Sequence, residues 1–134
     1  LALVFIDLDW FKEVNDRFGH IRGDEFLVAF VQRVLYSIRV NDLLFRYGGD
    51  EFILILPGMN SVNAIILIQR ILNHFRSEPV LHDPPLKLSF SAGIAYFPND
   101  ADQLEALIET ADQRVYQAKK NGRGQVVGTP AGSA

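Results

Sequence analysis

The chain has 134 residues, 49% hydrophobic and 22% charged, a balance that suits one globular domain with a sizeable core and argues against disorder. It contains no cysteine, which excludes disulfides and thiolate metal sites and fits a reducing compartment. The net charge of −3, with no Lys/Arg-dense face, argues against a partner such as long nucleic acid; an anionic ligand would need a metal ion or a few placed cations.

The chain opens in "LALVFIDLD", an apolar run that reads as a buried strand ending in Asp7 and Asp9. The run is far shorter than the roughly 18 residues a membrane span needs. No basic region precedes it, so neither a signal peptide nor membrane insertion is expected. A short helical turn over residues 11–18 leads to "FGHIRGD", where Gly19 and Gly23 allow a bend. From Asp24 to Ile38, apolar residues recur at Phe26/Leu27, Phe30/Val31, Val34/Leu35 and Ile38, which predicts a helix burying one stripe.

Two short strands follow, over 43–47 and 51–57, joined through Gly48-Gly49. A Gly-Gly pair between apolar runs signals a hairpin, because primed turns need positive φ. Residues 61–76 form a second helix with Ile65, Ile68, Leu72 and Phe75 on one face and Ser61 as its N-cap. "LKLSFSAGIAYF" (86–97) alternates as a strand. Asp102 followed by Glu105 resembles a capping box, and the helix it opens buries Leu104, Leu107, Ile108, Ala111 and Val115 before stopping at Asn121-Gly122. "QVVG" adds an edge strand, and residues 128–134 are expected to form a flexible tail. The order β-α-α-β-β-α-β-α-β suggests a central mixed sheet with helices mainly on one face.

In "RYGGDEF" (46–52), two acids stand between apolar strands. If the first strand neighbours the hairpin, Asp7, Asp50 and Glu51 converge at one edge of the sheet and raise one another's pKa. A hard divalent cation removes that conflict, and Mg²⁺ prefers one or two carboxylates plus phosphate oxygens and water. The plainer account is that the acids solvate a turn; Asp7-x-Asp9 at another strand end weighs against it. Gly48 and Gly49, lacking side chains, would also let a phosphate or sugar approach the backbone.

Lys119 and Arg123 could bind phosphates, or simply complement the end of the last helix. Asn15 and Asp24 offer the acceptors and donors that a guanine edge requires, yet both could equally be helix-end residues. His20 reads as structural rather than as a metal ligand.

Together, "FIDLDWFKEVND", "FGHIRGDEFL", "RYGGDEF", "SAGIAY" and "ADQRVYQAKKNGRG" resemble the GGDEF family of diguanylate cyclases, in family order and spacing over residues 1–127. The resemblance implies an α/β (α+β) fold, a ferredoxin-like palm similar to that of nucleotidyl cyclases and polymerases. The family's usual N-terminal helix and turn would lie upstream of Leu1. It further implies condensation of two GTP into cyclic di-GMP with release of pyrophosphate. Asp7, the Leu8 carbonyl and Asp50 would hold Mg²⁺ or Mn²⁺, with Glu51 assisting. Lys12 would stabilise the transferring phosphate. Asn15 and Asp24 match the guanine-binding pair, with His20 in the same motif, and Lys119 and Arg123 match the phosphate-binding cations. Each domain would hold one GTP, so catalysis requires a homodimer.

Beside that match, "RVND" (39–42) has the Arg-x-x-Asp spacing of the family's inhibitory product site. Arg39 can take guanine O6 and N7, Asp42 can accept from its N1–H and N2–H₂ edge, and Arg70 matches the distal arginine. The alternatives are a non-catalytic module that senses GTP or cyclic di-GMP and a polymerase-like palm. The intact hairpin motif favours catalysis over the first, and the absent basic groove disfavours the second. The resemblance also implies an upstream sensory domain and a cytoplasmic location, either alone or as the cytoplasmic part of a membrane-anchored sensor.

Overall fold

The computed structural model describes residues 1–128. Its elements are β1 (Ala2–Leu8), α1 (Phe11–Phe18), α2 (His20–Ser37), β2 (Leu43–Arg46), β3 (Glu51–Leu56) and α3 (Ser61–Ser77). Then come β4 (Leu81–His82), β5 (Pro85–Leu86), β6 (Phe90–Tyr96), α4 (Leu104–Lys120) and β7 (Val126–Val127). The main sheet has the order β2-β3-β1-β6-β7, antiparallel except for β6 with β7. The series β1-α2-β2-β3-α3-β6 is the β-α-β-β-α-β arrangement of a ferredoxin-like fold.

β1 lies at the centre of the sheet, and all seven of its residues are buried. That explains its unbroken apolar run: both faces are covered, so no polar alternation is needed. Ala2, Val4, Ile6 and Leu8 face a core built from α2 and α3, where Phe30 packs 4.8 Å from Phe52 and 5.9 Å from Phe75 and Phe90 between ring centroids. Leu3 and Phe5 face the other way, onto Leu107, Ala111 and Val115 of α4. The helices therefore cover both faces, and the expectation of one mainly covered face is corrected. At Gly93 of β6, a Cβ would lie 2.1 Å from the Ala111 carbonyl oxygen and 2.6 Å from the Val115 nitrogen. Only glycine lets α4 approach the sheet this closely.

Several local expectations change. Helix α2 starts at His20, not Asp24: the bend is Gly19 alone, at φ 89°, while Gly23 is helical and buried. Asn60, not Ser61, caps α3, its side chain accepting from the Asn63 N–H at 2.8 Å. The Asp102–Glu105 capping box does not form; the N-cap of α4 is Gln103, without a side-chain bond, and Leu104 is 61% exposed. On α2, Leu35 is exposed as well. The strand expected over 86–97 begins at Phe90, because Leu86 pairs instead with Leu81 in a small hairpin that turns at Asp83-Pro84. Neither Gly48 nor Gly49 takes a positive φ, so the turn is not a primed two-residue one. It is closed by the N–H groups of Tyr47 and Gly48, both donating to the Glu51 carbonyl, at 2.8 and 3.2 Å. Gly128 is buried, its carbonyl 3.5 Å from Arg114 Nη1, so ordered chain reaches one residue into the expected tail. The rest of that tail, 129–134, lies outside the described residues.

Candidate active site

Antiparallel pairing sets Asp7 of β1 opposite Glu51 of β3, and the Leu8 N–H donates to the Asp50 carbonyl at 3.0 Å. The three acids thus meet where β1 leaves the sheet. Glu51 folds back over the turn so closely that a Cβ on Gly48 would sit 2.4 Å from its Oε1. Arg46 pins the same turn, donating from Nη2 to the Gly49 carbonyl at 2.6 Å and from Nε to Gly48 at 3.2 Å. Nothing crowds Gly49, which leaves its backbone open to an incoming group.

Lys119, on the last turn of α4, donates to Oδ2 of Asp7. Asp7, Glu51 and Lys119 line a common cleft of about 710 Å³. Burial pushes Asp7 up to about 6; the Lys119 hydrogen bond pulls it down, and the charges of Asp50 and Glu51 push it up. An acid raised on folding contributes stability below its ordinary value of 3.8 that is lost as pH rises through about 6. In metal-free buffer, the melting temperature of the native chain should therefore fall relative to Asp7→Asn as pH rises from about 4 to 6. Parallel curves would contradict the assignment.

Among the described residues, no group of three acidic or histidine side chains is gathered tightly enough to form a ready-made metal cage. The donor set nevertheless fits Mg²⁺. Two hard carboxylates at the mouth of a cleft suit an ion that completes its shell with phosphate oxygens and water.

Asp9 has a different role from its neighbour. It is 2% exposed and accepts from Ser89 Oγ at 2.7 Å, Ser91 Oγ at 2.8 Å and the Gly124 N–H at 3.0 Å. It clasps the end of β1 to the first residues of β6 and the residue before it, and to the loop after α4. Arg123 stacks its guanidinium 4.7 Å over the Trp10 ring, with Nη1 4.0 Å from Asp9 Oδ1. Two cations therefore flank the end of β1, one on each acid.

The side chain of Asn15 lies against Gly23, where a Cβ would sit 1.7 Å from Asn15 Oδ1. Asp24 follows on the exposed side of α2, near the exposed His20. Helix-end roles for this pair do not hold, since α1 runs on to Phe18 and α2 starts before Asp24. Lys12 is exposed on the first turn of α1.

The model of the diguanylate cyclase GGDEF domain matches residues 1–125. The chain belongs to the GGDEF domain family. It is 40% identical over 134 residues to the response regulator PleD of Caulobacter vibrioides, covering 98% of this chain and 30% of PleD. It is 40% identical over 126 residues to the diguanylate cyclase TpbB of Pseudomonas aeruginosa, covering 92% of this chain and 29% of TpbB. The crystal structure of the TpbB GGDEF domain matches with a TM-score of 0.90 at 37% identity, over 96% of this chain and 81% of that one. The GGDEF domain of DgcB from Caulobacter crescentus, solved in complex with c-di-GMP, matches at 0.84 and 25% identity over 95% and 76%. The chain thus spans less than a third of the length of PleD or TpbB. No helix among the described residues is long and apolar enough to cross a membrane.

The Arg-x-x-Asp residues of this GGDEF domain lie at the far end of β3 from the acids. Asp42 is 6% exposed and accepts from the Arg39 N–H at 2.7 Å, from Nε at 3.1 Å and from Nη2 at 2.7 Å. Arg39 Nη2 also donates to the Pro57 carbonyl at 2.7 Å. The two side chains therefore satisfy each other, while Arg70 is exposed on α3. Sequence reading missed the Asp9 clasp, the Arg46 pin and a buried ion pair of Arg114 with Asp100 at 2.8 Å. The "RYGGDEF" arginine was in plain view; the clasp and the ion pair had no local signal.

Proposed function

We propose that this chain is a diguanylate cyclase domain that joins two GTP into cyclic di-GMP as a metal-dependent homodimer with product inhibition. The observation that carries this reading is the Asp7–Glu51 pairing, which brings these two acids and Lys119 into one cleft within a GGDEF domain. In the reaction, the ribose 3′-oxygen of one GTP forms a bond to the α-phosphorus of the other. The bond to pyrophosphate breaks, and the hydroxyl proton leaves to a nearby base or water. The reciprocal attack by the second 3′-oxygen closes the ring with loss of a second pyrophosphate. A homodimer is needed because each domain holds one GTP.

Asp7, Asp50 and the Leu8 carbonyl would hold Mg²⁺ or Mn²⁺, which supplies neutralisation of phosphoryl charge and a more acidic hydroxyl. Glu51 adds charge beside that centre. Lys12 would offset charge on the transferring phosphate, and Lys119 and Arg123 would hold the triphosphate. Asn15 and Asp24 would select guanine, with His20 alongside, while Gly49 admits the nucleotide to the backbone beside Gly48, which Glu51 covers. The dimer requirement is tested by dilution: specific activity should fall as protein concentration falls, and a constant value would refute it.

Arg39, Asp42 and Arg70 would form the inhibitory site for cyclic di-GMP, as the family spacing suggests. To accept a guanine edge, Asp42 must exchange its bonds from Arg39, so product binding would open this pair. Arg39→Ala should preserve turnover at low product concentration and abolish inhibition by added cyclic di-GMP. An unchanged inhibition curve would contradict the site. An upstream sensory domain, supported by the greater length of PleD, a response regulator, belongs to the same proposal, as does cytoplasmic residence.

A further inference from the structure

Asp7 and Asp9 are two residues apart, yet their carboxylates are satisfied in opposite ways. Asp9 takes its bonds from two serines and a backbone N–H, all fixed parts of the fold. Among the described residues, the one side chain hydrogen-bonded to the Asp7 carboxylate is Lys119, a flexible stem on the last turn of α4. The Lys119 side chain stays 31% exposed while that of Asp7 is 11% exposed, so the ammonium caps the acid from the solvent side. It stands where a cation would otherwise enter. The neighbouring Asp50 and Glu51 add two negative charges that reach Asp7, and no compact cage of acids exists without help.

We infer that Lys119 is a resident counter-ion that keeps a bare divalent cation off Asp7, and that a triphosphate opens the site by drawing the ammonium away. The inference rests on the reading of Asp7 as a metal ligand. Two like charges a few ångströms apart in a partly buried cleft repel strongly, so an ion at Asp7 and an ammonium on the same carboxylate disfavour each other. A triphosphate offers Lys119 several anionic oxygens in place of one. The four-carbon stem lets the ammonium move without moving α4. The cation and the nucleotide would then bind as a unit, and in the nucleotide-free site Asp7 would keep its counter-charge without metal.

The test is Mn²⁺ binding to the nucleotide-free protein, read by electron paramagnetic resonance, with no turnover involved. Lys119→Met should bind Mn²⁺ roughly tenfold more tightly than the native chain, because a competing cation is gone. Lys119→Arg, which keeps the charge, should stay close to native. The gain should vanish when Lys119→Met is combined with Asp7→Asn. With a non-hydrolysable GTP analogue present, the order should reverse, Lys119→Met binding the nucleotide more weakly than native.

Equal or weaker Mn²⁺ binding by Lys119→Met, with an unchanged circular dichroism spectrum, would overturn the inference. So would an absence of Mn²⁺ binding by every variant. If Lys119→Met fails to fold, Lys119→Gln is read by the same criteria. The two proposals fail separately. A native chain that makes no cyclic di-GMP while Lys119→Met still gains Mn²⁺ affinity would remove the cyclase reading and keep this one. Active cyclase without that gain would do the reverse.

Discussion

Asp50→Ala should lower GTP turnover by at least about a thousandfold, since it removes a charge whose share of transition-state stabilisation is several kcal/mol. The fold should survive the change. The structural contribution of Asp50 runs through its main chain, whose carbonyl receives the Leu8 N–H at 3.0 Å. Losing its carboxylate also relieves repulsion on Asp7, so the melting temperature in metal-free buffer should hold or rise. Asp50→Asn should behave alike, because an amide is a poorer ligand of a hard cation. Turnover persisting in either variant would show that the hairpin acid is not part of the chemistry. A large loss of stability would instead mean that Asp50 was a folding residue.

Gly93→Val should be the most damaging substitution in the sheet. The nearest neighbours of the missing Cβ are mostly backbone: the Ala111 carbonyl oxygen at 2.1 Å and the Val115 nitrogen at 2.6 Å. A flexible side chain could turn aside, but helix backbone cannot, so α4 must lift from β6. Overpacking of this kind costs on the order of 3 kcal/mol, a fall in melting temperature of roughly 10 °C for a domain of this size. The consequence reaches the site, because α4 also carries Lys119. A Gly93→Val chain that still folds should therefore bind GTP more weakly at ordinary temperature. Gly49→Ala gives the contrast: its Cβ meets nothing within 4 Å, so stability should hold. A near-native melting curve for Gly93→Val would show that α4 does not pack as closely as described.

The acids of the site were legible because each interrupts an apolar run, and strand ends are where such interruptions gather. Pairing of β1 with β3 then turned a suggestion into an arrangement, with Asp7 opposite Glu51. The second covered face was not legible. The unbroken run of β1 signals burial on both sides, but it cannot say which helix covers which side. Asp9 looked like a partner of Asp7 because sequence shows only that the two share a strand end. Its actual partners, Ser89 and Ser91, lie 80 and 82 positions away. Likewise the Lys119 bond to Asp7 spans 112 positions, and nothing near either residue announces it.

Local rules failed where two neighbouring residues could do the same job. Asn60 and Ser61 are both good caps, and the bond to the Asn63 N–H decides for the first. The capping pattern at Asp102 and Glu105 went unused, because α4 begins only at Leu104. Arg114 was hidden for the opposite reason: a charged residue on a helix reads as solvent-facing. Here it is 5% exposed and donates to the Ile94 carbonyl at 2.6 Å as well as pairing with Asp100. That hydrogen bond from Arg114 holds the Asp100 carboxyl below the usual carboxylate range.

Cyclisation of two GTP at paired acidic sites is tested by incubating concentrated protein with α-labelled GTP and Mg²⁺. Cyclic di-GMP should be the labelled product, with one pyrophosphate released for each GTP consumed and no cyclised product from ATP. Bound GTP that is never converted, or converted only to GDP and phosphate, would contradict it.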